Sequence, residues 1–161
     1  MTASDNLLEV SMGIDDFSSE WVHCDRISSY VARMVSHNRT DSLLYANLLS
    51  SALNELLETV FSNHGSGGDF ICRIRRSGDK DVIELTLPCD ETALRFYTEA
   101  AGLLERDDLA DVYRTALFSA GRQDPRLGLL ELAVDYQAKI SIAPAGRQLT
   151  LSAEMMLEGS H

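Results

Sequence analysis

The stretch Asp41 to Asn63, DSLLYANLLSSALNELLETVFSN, decides the fold. Leu44, Leu48, Leu49, Ala52, Leu53, Leu56, Leu57, Val60 and Phe61 recur at three- and four-residue intervals, which predicts a long amphipathic helix. Its apolar face is too wide for one partner. It calls for a sheet on one side and a second helix on the other. His64-Gly65-Ser66-Gly67-Gly68 then supplies the φ-permissive residues that stop it.

Outward from this helix the periodicity changes. Downstream, Phe70, Cys72 and Ile74 alternate with Ile71, Arg73 and Arg75, and Ile83, Leu85 and Leu87 follow after Ser77-Gly78-Asp79, which predicts a β-hairpin closed by Pro88. Upstream, Leu7 to Met12 reads as a strand, and Glu20 to Val35 as a helix with the stripe Val22, Ile27, Tyr30, Val31, Met34 and Val35. Asp90 to Ser119 reads as two helices parted near Arg106-Asp107-Asp108, with Leu94 and Leu117 among their apolar stripes. A short helix over Leu127 to Tyr136 leads to a final hairpin, Lys139 to Ala143 and Gln148 to Leu157, turned at Pro144-Ala145-Gly146. The order β-α-α-β-β-α-α-α-β-β predicts an α+β two-layer sandwich. Its mixed, mostly antiparallel sheet is covered on one face by helices, within one domain spanning 1–161.

Composition narrows the class of function. The 161 residues carry 25 acidic and 14 basic side chains, a net charge of −11. Such a chain repels phosphate backbones at long range, so nucleic acid is not its expected partner. No apolar run is long enough for a membrane span, and Met1 to Asn6 lacks the features of a signal peptide, so the expected location is the cytoplasm. Cys24, Cys72 and Cys89 are odd in number and unpaired in spacing, which suits reduced thiols; Cys72 and Cys89, on or beside predicted strands, read as small buried hydrophobes. His23, His37, His64 and His161 show no metal-ligand spacing. Gly65, Gly67 and Gly68 follow a helix rather than precede one, so they read as a plain loop rather than a phosphate cradle.

Three segments carry a family resemblance that covers about Leu7 to Leu157. Asn54-Glu55-Leu56-Leu57-Glu58-Thr59 lies on the long helix, and Arg126-Leu127-Gly128-Leu129-Leu130-Glu131-Leu132 opens a later one. Ile140-Ser141-Ile142 and Leu149-Thr150-Leu151 form the closing hairpin around Gly146. Together they resemble the GHKL (Bergerat-fold) ATPases, in the small form found in bacterial anti-sigma factors and switch-protein serine kinases. The resemblance makes Glu55 the catalytic carboxylate of the family's E-x-x-x-N box. Thr59 stands where the family has its magnesium-binding Asn. Asp90 takes the place of the adenine-reading Asp, and Gly121 and Gly128 that of the lid and phosphate glycines. The glycines that should follow Asp90 are missing from Leu87-Pro88-Cys89-Asp90-Glu91-Thr92. Plainer roles stand beside each assignment: Glu55 at the solvent edge of a helix, Thr59 on a helix surface, Asp90 as a helix N-cap and Gly128 as a close-packing position.

The motif losses imply a regulator with a degenerate ATPase fold and no nucleotide, acting through protein partners. By resemblance these are a sigma factor or a STAS-type antagonist in a partner-switching circuit, and a homodimer is compatible with the same scheme. The helix Glu20 to Val35 would be the partner face, with Arg26 and Arg33 at its rim. The alternative is an active ATP- and Mg²⁺-dependent serine/threonine protein kinase using Glu55 and Thr59. A histidine phosphotransfer protein using His37 or His64 is the third reading.

Overall fold

The computed structural model describes residues 4–13, 22–36, 42–63, 69–77, 80–120 and 126–156. Its elements run β1 (Ser4–Gly13), α1 (Val22–Ser36), α2 (Ser42–Asn63), β2 (Asp69–Ser77), β3 (Lys80–Pro88), α3 (Glu91–Leu104), α4 (Leu109–Ala120), α5 (Leu127–Asp135), β4 (Lys139–Ala145) and β5 (Gln148–Met155). The order is the one the periodicities predict. The strands form one sheet, β1-β2-β3-β5-β4, and every pairing in it is antiparallel.

Strict alternation along the strands sorts the two faces of the sheet. Phe70, Cys72 and Ile74 of β2, Ile83, Leu85 and Leu87 of β3, and Leu149, Leu151 and Ala153 of β5 are buried on one face. They share a single core with Leu49, Leu53, Leu56, Leu57 and Val60 of α2, Tyr97 of α3, and Leu129 and Leu132 of α5. The other face is a ladder of charges and hydroxyls. Arg73 pairs with Glu9, Arg75 with Glu84, and Lys80 with Glu154 at 3.1 Å. Thr86 and Thr150, opposite each other, join their hydroxyls at 3.0 Å. Such a face needs no second helical layer, which is why the sandwich has two layers.

Buried polar contacts pin the helices to the sheet. The Tyr45 hydroxyl, at the start of α2, donates to Asp81 Oδ1 of β3 at 2.9 Å, both residues being fully buried. At the start of α3, Asp90 caps the helix: its Oδ1 accepts from the Ala93 N–H at 2.8 Å.

The last hairpin turns at Gly146-Arg147, one residue later than expected. Gly146 takes φ +64°, in the left-handed region that glycine enters freely, and Pro144 lies inside β4 rather than in the turn. β4 is an edge strand, where proline's missing N–H leaves no ladder bond unmade. Five stripe residues are also corrected. Tyr30 and Met34 of α1, Leu44 in the first turn of α2, Leu94 of α3 and Leu117 of α4 are exposed rather than core, because each of these helices buries a narrower face than its apolar stripe.

Candidate functional site

The residues that the family resemblance singled out on α2 meet α5. Gly128, in the first turn of α5, lies so close to α2 that a methyl group there would stand 2.4 Å from Thr59 Oγ1. The same methyl would be 3.3 Å from both the main-chain oxygen and Oε2 of Glu55. Gly128 is therefore a close-packing glycine. Thr59, expected on a helix surface, is only 5% exposed, and its hydroxyl donates to the Glu55 carbonyl at 2.9 Å. It sits between two helices.

Glu55 is half-buried beside this joint and meets a residue that the sequence reading passed over, Glu131 of α5. The two carboxyl groups hydrogen-bond. Burial first, then the charge of Glu131, the hydrogen bond with it and the charge of Glu58 push Glu55 up to about 7. Near neutrality Glu55 thus holds a proton part of the time and can donate it to Glu131. Asn54 Nδ2 donates to Glu58 Oε1 at 3.2 Å, one turn along the same helix.

Two phenols close the cluster. Tyr113 of α4 hydrogen-bonds with Asp135 and is raised above the ordinary tyrosine range by burial, then by the charges of Glu131, Asp135 and Glu55. Tyr136, immediately after α5, is raised chiefly by burial; its hydrogen bond with Ser51 of α2 works in the opposite direction. The junction of α2, α4 and α5 thus gathers Glu55, Glu58, Glu131 and Asp135 around two tyrosines. Glu131 could have been found from the sequence by one step. It lies three residues after Gly128, on the same side of α5, so whatever Gly128 packs against Glu131 faces as well.

The fit of a magnesium nucleotide can be judged from these contacts, and it is poor. A hard cation needs accessible oxygen ligands, whereas Thr59 is sealed against Gly128. A triphosphate needs N–H donors and cations, whereas this junction offers carboxylates that would repel it. Among the described residues no group of His, Cys, Asp and Glu is arranged to hold a metal ion. Asp90 belongs to another junction, where its carboxylate and its carbonyl both serve the start of α3 and the neighbouring Cys89 N–H donates to Arg147 O beside the β4–β5 turn. Gly121, His37, His64, Gly65, Gly67 and Gly68 lie outside the described residues.

The cysteines follow expectation in part. Cys72 is buried in the core and its thiol is pushed up to about 12 by that burial. Cys89 is half-buried and its thiol donates to the Asp90 carbonyl at 3.4 Å. No helix among the described residues is long and apolar enough to cross a membrane.

Neither a protein-family model nor a curated protein matches the chain. Among solved structures, it is similar to a chain of the SiaB–SiaC complex from Pseudomonas aeruginosa, with 14% identity and a TM-score of 0.54. The match covers 93% of this chain and 89% of that one. The likeness extends over nearly the whole chain, and at this identity it shows a related fold.

Proposed function

We propose that the chain is a regulatory protein with a degenerate GHKL-type fold that works by binding protein partners rather than by turning over nucleotide. The contact of Gly128 with Thr59 carries this reading. By the sequence resemblance these two residues stand where the family would hold phosphate and magnesium; here they pack against each other, and the surrounding carboxylates disfavour a polyphosphate. The similar solved chain comes from a complex of two named proteins, which supports a partner-binding role for this fold. A cytoplasmic partner-switching circuit, with a sigma factor or a STAS-type antagonist as partner, is the scheme that the sequence resemblance supplies.

The test is calorimetric titration and thermal shift with ATP and ADP, each with and without Mg²⁺. The expected result is no binding and no shift at millimolar nucleotide. Micromolar binding, with a melting temperature that climbs with nucleotide concentration by mass action, would overturn the proposal.

One observation favours a second reading. A carboxyl group held at about 7 is poised for proton transfer at neutral pH, as the general base of an ATP-dependent serine/threonine protein kinase must be. Under that reading phosphoryl transfer to a STAS-type protein is abolished by Glu55→Gln, whereas the regulator transfers nothing before or after the substitution.

A further inference from the structure

Strand β1 is bonded to β2 along one side, and among the described residues no backbone hydrogen bond reaches its other side. Successive residues of a strand offer their N–H and C=O groups to opposite sides, so every second residue of Ser4–Gly13 presents both groups outward. Past the bulge between Asn6 and Leu8 the register with β2 is unbroken through Gly13, which makes this run a regular template. Its side chains alternate as well. Leu8 and Val10 pack against the core and are half-buried, while Glu9 and Ser11 are exposed on the opposite face.

Leu8-Glu9-Val10-Ser11-Met12 reads apolar, polar, apolar, polar, apolar from either end. That symmetry is what a second copy of the same strand requires. Directly opposed residues of an antiparallel pair lie on the same face, so a two-fold axis between two copies of β1 passes through a residue. Through Glu9 it would set carboxylate against carboxylate. Through Ser11 it would leave Leu8 facing position 14, beyond the end of the strand. Through Val10 it sets Val10 against Val10, Leu8 against Met12, and the charged Glu9 against the neutral Ser11. We propose that β1 pairs antiparallel with β1 of a second copy, with Val10 on the two-fold axis, so that two five-stranded sheets become one. The contact is isologous and closes on itself, since a copy that has paired presents no free β1 to a third. Two copies of net charge −11 repel at long range, but physiological salt screens that repulsion beyond about 8 Å, and only Glu9 is charged along the paired run. The proposal concerns the assembly of the chain with itself and stands whether or not the partner-binding reading does.

Sedimentation equilibrium of the full chain, from micromolar to hundreds of micromolar, tests it, together with amide exchange over the same range. The expected result is a monomer–dimer equilibrium in which β1 amides exchange more slowly as concentration rises while β4 amides do not change. Two substitutions of opposite sign then read the register. Ser11→Arg sets a cation opposite Glu9 at two symmetric places and should tighten the dimer by between about twofold and thirtyfold, and Ser11→Glu should loosen it by a similar factor. Glu9 already pairs with Arg73, but a carboxylate has the lone pairs to accept from a second cation. Ser141→Arg and Ser141→Glu, on the same face of the sheet but on β4 at the far margin, change the net charge equally and should leave the dimer as it is. A chain that stays monomeric throughout overturns the proposal, whatever strand another protein adds to β1. A dimer whose β1 amides do not slow overturns it as well. So does one that both Ser11 variants weaken, since that places the axis elsewhere, or one that responds alike to changes at Ser11 and Ser141.

Discussion

Substituting Gly128→Ala asks directly what the α2–α5 joint is for. The added methyl would lie 2.4 Å from Thr59 Oγ1, well inside van der Waals contact, and 3.3 Å from the Glu55 carbonyl oxygen, which belongs to helix backbone. Thr59 cannot swing aside easily, since it is β-branched, buried and bonded to Glu55. Helix propensity alone favours alanine by up to about 1 kcal/mol. Overpacking a rigid contact costs about 1–3 kcal/mol. The net expectation is a loss of about 1–2 kcal/mol, or a melting temperature lower by roughly 2–8 °C for a chain of this size. Thr59→Ala removes the obstructing hydroxyl at the expense of one local hydrogen bond. The double variant should therefore recover most of the loss, with a coupling of about 1–2 kcal/mol in a cycle measured by urea unfolding. If Gly128→Ala stabilises the protein, or if the two changes simply add, the close-packing account is wrong. A phosphate-binding role for Gly128 would instead show as lost nucleotide affinity at unchanged stability.

Three further outcomes follow from contacts already described. Glu55 sits at about 7 in the folded protein against an ordinary 4.5, so between those values the folded state holds a proton that the unfolded chain releases. Its contribution is complete at acid pH and is lost as pH rises through 7. The urea midpoint of Glu131→Gln, measured from pH 5 to 8, should therefore fall less than that of the parent, and parallel curves would refute the carboxyl pairing. Asp90→Ala should cost about 1 kcal/mol by removing the α3 cap while Asp90→Ser retains most of it, read by thermal unfolding. Tyr45→Phe removes a donor from the buried Asp81 and should cost about 1.5–3 kcal/mol in the same assay; a neutral result would show that the contact does not pin α2 to the sheet.

The element order was legible because each element wears its period openly. The α2 stripe and the β2–β3 alternation leave little choice, and Pro88 followed by Asp90 marks where a strand gives way to a capped helix. Tyr30 and Met34 were misplaced because hydrophobicity says which residues could be buried, while the number of neighbours decides which are. α1 packs mainly on α2, so Tyr30 and Met34 find no core. Glu55, Thr59 and Gly128 could be named singly from the sequence, but not how they meet. That Thr59 and Gly128 fill each other's space, and that Glu131 reaches Glu55, are facts of helix approach that no local spacing encodes. Pro144 entered β4 because an edge strand tolerates a residue that a turn would also accept, and only the pairing of β4 with β5 separates the two.

The two margins of the sheet differ in kind, and this bears on how the protein would fail. At β4 a proline interrupts the outward row of hydrogen-bonding groups, and α3 packs beside the strand. At the other margin β1 runs ten residues, Ser4–Gly13, with neither proline nor lysine to blunt it and a single bulge between Asn6 and Leu8. Strand-by-strand accretion into aggregates would therefore be one-sided, starting at β1. A proline or lysine introduced there is the change expected to improve solubility at high concentration, whereas the same change on β4 would accomplish little.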